Sequence, residues 1–344
     1  MSNQIPTILK PDYSVFYNVP RLYSYSDLSF FIIIGGRGIG KTTGIAFQLL
    51  SDYVKRGYQF VYVRRYIQEL PKAEDLFSKI APSIKIVKGK GRGIYMYTYN
   101  KKVIGFAVAL TIHTTLKSGI NFDRVQTMVY DEAILERGSP YRYLGNEMHA
   151  YHELISTIFR HRKGYRVFVL GNNADIFNPY WEYYNIPTFE GIYIDKSRAL
   201  YCEKAKNSAK LMEIEQETPL YKLTKGTEYW DYHYNNEVLA SGRSPNIIPK
   251  PVKLKLLCRI LLNTYTLNIY RYKLDNIYVE LKDKPIKDVY TYIIMENNAP
   301  NIYYGNLYKK SDVRRYIEAM FYDNGDYYDS QKTFALMSTF MELI

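Results

Sequence analysis

The stretch Phe30-Phe31-Ile32-Ile33-Ile34-Gly35-Gly36-Arg37-Gly38-Ile39-Gly40-Lys41-Thr42 decides how the chain is read. Its apolar first part has the character of a buried β-strand, and Gly35–Thr42 fits the phosphate-binding pattern G-x-x-x-x-G-K-[ST] without a mismatch. A helix is expected from Thr42 to about Lys55. Glycines let the backbone close around phosphate oxygens, while loop amides and the helix N-terminus aim partial positive charge at them. Lys41 has the reach for β- and γ-phosphates, and the Thr42 hydroxyl suits Mg²⁺. Gly35, Gly36, Arg37, Gly38, Ile39, Gly40, Lys41, Thr42 and the following Thr43 are therefore the expected nucleotide-binding set, with ATP and Mg²⁺ as expected cofactors. The loop alone leaves open what the nucleotide's energy is used for.

At 344 residues the chain exceeds one ordinary core, so two domains are expected. Hydrophobic residues at 47% and charged residues at 23% exclude a disordered chain. A net charge of +12 favours a polyanionic partner, and the lack of a basic amphipathic helix favours nucleic acid over a membrane surface. Cys202 and Cys258 offer no metal spacing and no framework of bridges, as expected of a reducing compartment. The N-terminus has no charged-then-apolar leader pattern and the apolar runs are too short to span a bilayer, so a cytosolic location is expected. The 38 tyrosines are read chiefly as a compositional bias shared with Asn, Ile and Lys, with stacking on bases as the alternative.

Along the chain, residues 1–25 read as irregular. Gln59–Val63, Gln126–Tyr130 and Arg166–Leu170 read as further buried strands, and Ile94–Tyr99 with Val103–Leu110 as a hairpin. Strands alternating with helices, one of them around Glu147–Arg160, indicate an α/β fold with a parallel-rich sheet. Glu203–Glu217 reads as a polar helix in a linking segment. Strand-like runs at 253–262, 264–272 and 290–295, with helices near 313–321 and from 331, give a smaller α+β domain. The expected division is 1–202, a linker at 203–243, and 244–344.

A phosphate loop that supports hydrolysis needs a second element, an apolar strand ending in a metal-binding carboxylate, and Asp131 after Thr-Met-Val-Tyr meets that need. Glu132 beside it can polarise a water for in-line attack on the γ-phosphorus, which favours hydrolysis over transfer. Asn172, at the tip of the next strand, is placed either to sense the γ-phosphate or simply to turn the chain beside Gly171. Arg160 and Arg162 are the candidates for a guanidinium that stabilises transferred-phosphoryl charge, with a solvated basic face as the plain alternative. Lys117 is a further cationic candidate.

Gly36–Lys41, Gln59–Tyr66, Asp131-Glu132, Phe159–Arg162, Asn178-Pro179-Tyr180 and Gly226–Tyr229 occur in one order that closely resembles the DNA-packaging ATPases of small tailed phages of the phi29 type. The likeness covers roughly residues 15–235. It implies a P-loop core of the additional-strand, catalytic-glutamate type, a helical linker, and a C-terminal RNase H-like domain without nuclease activity. It also implies a homo-oligomeric, pentameric ring acting on double-stranded DNA at the procapsid portal in the host cytoplasm, in some relatives with a packaging RNA. By position it makes Lys41 and Thr42 the nucleotide and Mg²⁺ residues, Asp131 the metal carboxylate and Glu132 the base. Arg160 then matches an arginine finger acting on the neighbouring subunit, and Lys117 a lysine acting across the same interface. Gly171-Asn172-Asn173 departs from the family's Ser-Asn, so the sensor is either Asn172 or Asn173.

A two-metal nuclease needs carboxylates on its first central strand. Residues 238–274 contain no acidic side chain, and Arg243, Lys250, Lys253, Lys255, Arg259, Arg271 and Lys273 fall there instead. That surface suits phosphate contacts, or is merely a solvated strand pair. A DNA translocase or helicase of cellular type, and an ATP-binding assembly protein without turnover, stay open as alternatives to a packaging motor.

Overall fold

The computed structural model describes residues 8–89, 91–116, 120–135, 141–144, 146–172, 178–184, 186–187, 189, 191–234, 246–262, 265–273, 276–282, 291–294, 312–323, 325–330, 333–334, 336–338 and 341. The chain divides into two units, Met1–Leu239 and Ala240–Ile344. Lys117 and Asn173 lie outside the described residues.

In the first unit the strands are β1 (Phe30–Gly35), β2 (Gln59–Arg64), β3 (Lys85–Lys88), β4 (Ile94–Tyr99), β5 (Lys102–Ala109), β6 (Val125–Ile134), β7 (Arg166–Asn172), β8 (Ile192–Asp195) and β9 (Leu200–Ala205). Across the sheet they run β3-β4-β5-β2-β6-β7-β1-β9-β8. Pairing is parallel from β5 through to β9 and antiparallel at both edges. Phe31–Ile34 on β1 and Phe60–Val63 on β2 are buried at every position, as expected where both faces of a parallel sheet are covered. The covering helices include α1 (Lys41–Arg56), the short α2 (Asp75–Ser78), α3 (Glu147–Phe159) and α4 (Pro179–Tyr183). Helix α1 turns in Ile45, Ala46, Leu49 and Leu50, and α3 turns in Tyr151, Leu154, Ile155 and Ile158. Tyr97, Tyr130, Tyr151, Tyr180 and Tyr201 are among the largest fully buried side chains, so tyrosine is core material here.

Three sequence expectations change. The segment before β1 is organised: a 3-10 turn over Val19–Ser24 buries Val19 and Leu22, and the Tyr17 N–H donates to the Ile39 carbonyl at 2.8 Å, bracing the glycine loop from behind. The strand expected to stop at Tyr130 continues to Ile134. The helix expected from Glu203 starts later, because Glu203 belongs to β9. Its buried carboxylate accepts from Tyr17 Oη at 2.6 Å and Tyr201 Oη at 2.8 Å and pairs with Arg21. Tertiary partners override a polar, helix-favouring composition there. Helix α5 (Ala209–Gln216) begins after the Ser208 cap, followed by α6 (Pro219–Thr224) and α7 (Glu228–Tyr234).

The second unit carries β10 (Asn246–Ile247), β11 (Lys255–Leu262), β12 (Tyr265–Tyr272), β13 (Asn276–Lys282), β14 (Thr291–Ile294), β15 (Asp326–Tyr328) and helix α8 (Asp312–Tyr322). The order is β10-β15-β13-β12-β11-β14, with β11, β12 and β13 antiparallel in series and β14 parallel to β11. Strands β13 and β15 were not among the sequence expectations; β13 has Glu280 and Lys282 in its pattern.

The brace behind the loop is tightly fitted. A Cβ at Gly44 would stand 2.7 Å from Val19 Cγ2. Gly44→Ala, a change that favours an isolated helix, is expected instead to destabilise the first unit by about 1–3 kcal/mol, seen as a lower Tm in thermal melts. An unchanged or higher Tm would mean that the Val19–Ser24 turn yields freely.

Candidate nucleotide site

The site forms where β1, β6 and β7 end, at the carboxyl edge of the parallel sheet, the usual position for ligands in α/β folds. Between β1 and α1 the chain needs left-handed backbone at Gly38 (φ 78°) and Gly40 (φ 90°), and a Cβ at Gly40 would meet the Phe16 Cβ at 2.8 Å. Glycine is therefore required by conformation and by the close approach of the N-terminal segment. Lys41, 7% exposed, donates from Nζ to the Gly35 and Gly36 carbonyls at 2.8 and 2.7 Å. The ammonium is thus held inside the loop by weak, exchangeable acceptors. Lys41 is also the first residue of α1, so the positive end of a sixteen-residue helix faces the same space.

Asp131 is the hub of the facing wall. Its Oδ2 accepts from Thr42 Oγ1 at 3.1 Å and Tyr62 Oη at 2.9 Å, and its Oδ1 accepts from the Glu132 N–H at 3.0 Å. Burial and the Asp131 charge both push the Tyr62 pKa up, so the phenol stays a donor. Glu132 adopts φ 51°, a conformation that strains a non-glycine residue. Its side chain is 60% exposed and forms an ion pair with Arg64, which is also paired with Glu69 at 3.1 Å. Burial works against the Arg64 charge, yet the Glu132 and Asp131 carboxylates hold its pKa above the ordinary arginine value.

Arg37, Gly38, Ile39, Gly40, Lys41, Thr42, Thr43, Asp131, Glu132, Gly171 and Asn172 line one cavity of about 680 Å³, whereas Gly35 and Gly36 do not line it and contribute only the carbonyls that hold Lys41. The volume falls in the ordinary range of small-ligand pockets, roughly 300–1,000 Å³. A lysine on replaceable carbonyls, a helix N-terminus and paired hydroxyl and carboxylate oxygens fit a polyphosphate with a hard divalent cation. Asn172 stands opposite Gly35 in the β1–β7 pairing, at the wall of the same cavity.

Leu9, Lys10, Pro11, Phe16, Lys79 and Ile80 also line the cavity and were missed by sequence reading. No motif marks them. They arrive because the N-terminal segment folds back across the loop, Leu9 N–H donating to the Ile80 carbonyl at 3.0 Å.

Arg160 and Arg162 separate cleanly. Arg162 is spent on the fold: its guanidinium donates to the carbonyls of Asp123, Val125, Ile158 and Phe159 at 2.9, 2.6, 2.6 and 3.3 Å. Arg160 is exposed, caps α3 and holds φ 51°, ψ −119°. It lines a second cavity of about 530 Å³ with Asn121, Phe122 and Asp123, beside the start of β6. Asp131 lies six residues further along that strand than Val125, or about 20 Å at 3.3 Å per residue. Arg160 is thus beyond reach of the nucleotide cavity of its own chain.

A model of the Podovirus DNA encapsidation protein (Gp16) family matches residues 11–336. The chain is 32% identical over 287 residues to the DNA packaging protein of Bacillus phage PZA, covering 81% of this chain and 83% of that protein. To the DNA packaging protein of Bacillus phage phi29 it is 32% identical over 264 residues, covering 75% and 76%. A chain in the solved bacteriophage phi29 viral genome packaging motor assembly matches with a TM-score of 0.64 and 26% identity, over 96% of this chain and 98% of that one.

The strain at Arg160 has a measurable signature. Arg160→Gly should raise stability by about 1 kcal/mol, because glycine adopts this backbone freely. Arg162→Ala should lower it by about 1–3 kcal/mol through the carbonyls left unsatisfied. Denaturant melts of the two variants check the contrast, and equal shifts would contradict the division of roles.

Proposed function

This chain belongs to the Podovirus DNA encapsidation protein family, and from that premise we propose that it is an ATP-hydrolysing motor that moves double-stranded viral DNA into a procapsid. The observation that carries the proposal is the convergence of the glycine loop, Asp131, Glu132 and Asn172 on one cavity. The strand β7 lying between β1 and β6 supports an additional-strand, catalytic-glutamate core. In this reading Mg²⁺, taken by Thr42 Oγ1 and Asp131, supplies charge neutralisation at the phosphates when bound. Lys41 leaves the Gly35 and Gly36 carbonyls for the β- and γ-phosphates. Tyr62 orients the Asp131 carboxylate through its hydroxyl hydrogen bond. Glu132, released from Arg64, orients the attacking water and takes its proton, and Asn172 reports on the γ-phosphate.

Arg160, out of reach of its own site, serves as a finger for a neighbouring subunit, which makes a closed homo-oligomer, a pentameric ring by family resemblance, the working form. Lys117 is proposed to act across the same interface. Its partners are double-stranded DNA, the procapsid portal and, where the phage encodes one, a packaging RNA, with the portal vertex in the host cytoplasm as its place of action. No helix among the described residues is long and apolar enough to cross a membrane.

The core through β9 would hydrolyse ATP, the helices α5–α7 within 203–243 would link, and 244–344 would engage nucleic acid. The strand order β13-β12-β11-β14, antiparallel and then parallel, supports an RNase H-like C-terminal domain. Strand β11, between β12 and β14, carries Arg259, buried and donating to Asn268 Oδ1 at 3.0 Å, where a nuclease would need a carboxylate. Glu280 on β13 is paired with Lys250 and Lys282 at 2.8 and 2.9 Å, and although burial opposes it, these cations and Tyr270 hold its pKa below the usual carboxylate range. Lys250, Lys253, Lys255, Arg271 and Lys273 are exposed and suit phosphate contacts; Arg259 does not, and Arg243 is outside the described residues.

Glu132→Gln is expected to lower ATP turnover by about 10²–10⁴-fold while ATP still binds. Arg160→Ala should lower it by about 10³-fold or more, with recovery when its subunits are mixed with subunits that still carry Arg160. Steady-state ATPase assays and a DNA-packaging assay on purified procapsids test both. Normal turnover by Arg160→Ala alone would refute the finger, and loss of packaging without loss of ATP binding in Glu132→Gln supports the motor. DNA binding should weaken steeply between 50 and 200 mM salt, on the order of 10³-fold for six or more phosphate contacts.

A further inference from the structure

We infer that the buried Arg65–Glu147 pair is a positioning element that ties the Asp131-Glu132 turn of a subunit's own site to the Arg160 that the same subunit offers its neighbour, an inference that rests on the trans-finger reading above. Arg64 is the last residue of β2 and Arg65 follows it directly in the chain, yet the two side chains take different partners. Arg64 pairs with Glu132. Arg65 donates to the Ala133 carbonyl and, through Nε and Nη2, to the Glu147 carboxylate at 3.0 and 2.9 Å. The strained backbone at Glu132 is therefore gripped through the side chain of one residue and the carbonyl of the next.

Glu147 is the first residue of α3 and is 3% exposed. Besides Arg65 it accepts from Tyr130 Oη at 2.8 Å, Tyr180 Oη at 2.9 Å and the Leu144 N–H at 2.9 Å. Burial and then the Glu147 charge keep the Tyr130 phenol protonated as a donor. The ring faces of Tyr130 and Tyr143 lie 5.6 and 4.9 Å from the Arg65 guanidinium carbon. Such a fully satisfied, desolvated cluster has few ways to rearrange piecemeal. The N-terminus of α3 thus shifts with the ends of β2 and β6, and thirteen helical residues later the same rod ends in Arg160. A helix of that length is about 20 Å long and transmits a displacement at one end to the other. When Glu132 changes partner, the arginine dipeptide that holds its turn also holds the root of the finger helix, on the same carboxylate that accepts from Tyr130 of β6.

The test uses full-length subunits assembled on procapsids, with Glu147→Gln and the milder Tyr180→Phe as variants. ATPase is measured for each alone and after mixing with Glu132→Gln subunits, which cannot turn over at their own site but keep Arg160. Glu147→Gln alone is expected to fall on the order of 10²-fold in turnover, the scale of an approximately 1 Å misplacement of a catalytic group, with ATP affinity unchanged. Mixing should restore the part of the turnover lost through the misplaced Arg160, as is expected for Arg160→Ala; a defect confined to the variant's own site would not recover at all. Tyr180→Phe should show a smaller loss with the same recovery, and it decides the matter if Glu147→Gln lacks a cooperative melt. Loss without recovery, while Arg160→Ala recovers, overturns the inference, and so does full activity of both variants alone. Failure of Arg160→Ala itself to recover overturns the trans reading instead, and this inference with it.

Discussion

Surplus backbone in β6 is the constraint on which the site depends. Tyr130 stands opposite Val169 and Ile134 opposite Gly171, so β6 spends more residues than β7 over the same length of sheet. The excess is taken up by Asp131, Glu132 and Ala133, and it forces Glu132 to φ 51°. A regular strand would send Asp131 and Glu132 to opposite faces. The irregularity re-aims both at the cavity mouth, the service that bulges beside active sites commonly perform. Strand β7 accommodates it with Gly171, where a Cβ would stand 2.8 Å from Ile134 Cβ. Gly171 therefore answers a packing demand made by the residue beyond the bulge, and this fixes the position of Asn172 as well.

Holding surplus backbone in place takes charges that are costly to bury. Arg64 and Arg65 have side-chain exposures of 5% and 1%, so their desolvation must be offset by well-formed partners. Their distribution of partners differs in a way that matters. Arg65 has a buried carboxylate as its ion-pair partner, and removing Glu147 would cost about 3–5 kcal/mol, the usual scale for orphaning a buried partner. Arg64 shares its charge between buried Glu69 and the largely exposed Glu132. Because Glu69 remains when Glu132 leaves, Arg64 keeps a partner, and the exchange is possible without stranding a buried cation. One arginine is thus built to stay and its neighbour to let go.

What the sequence made legible followed from chemistry that requires particular residue types at short spacing. The loop from Arg37 to Thr42, Asp131, Glu132 and the tip of the Asn172 strand all meet at one cavity. The continuous apolar runs at 31–34 and 60–63 gave buried parallel strands because both faces of that sheet are covered. What sequence could not carry was long-range pairing. Glu203 looks like a helix residue until Tyr17 and Arg21, from far up the chain, are seen to hold it in β9. Phe16 has no motif and reaches the cavity only because Tyr17 N–H finds the Ile39 carbonyl. The paired arginines at 160 and 162 were indistinguishable as letters. Four backbone carbonyls around Arg162 separate them, and carbonyls leave no trace in composition.

The same separation bears on why such a protein would act as an assembly. Parallel strands place the phosphate loop and Asp131 at their carboxyl ends, and α3, returning alongside β6, necessarily delivers its C-terminal cap to the amino ends. A cation at that cap is remote from its own cavity by construction, whatever its rotamer. Arg160 occupies the place while accepting a backbone conformation that glycine would hold with less strain, so local stability does not account for an arginine there. Strain retained at an exposed cation, at the far end of a rod rooted beside the glutamate, is understandable if its electrostatic work is done on a second copy of the chain. On the proposed reading, a single subunit then holds two half-sites on opposite edges of one sheet, and only a closed arrangement of copies leaves neither half idle.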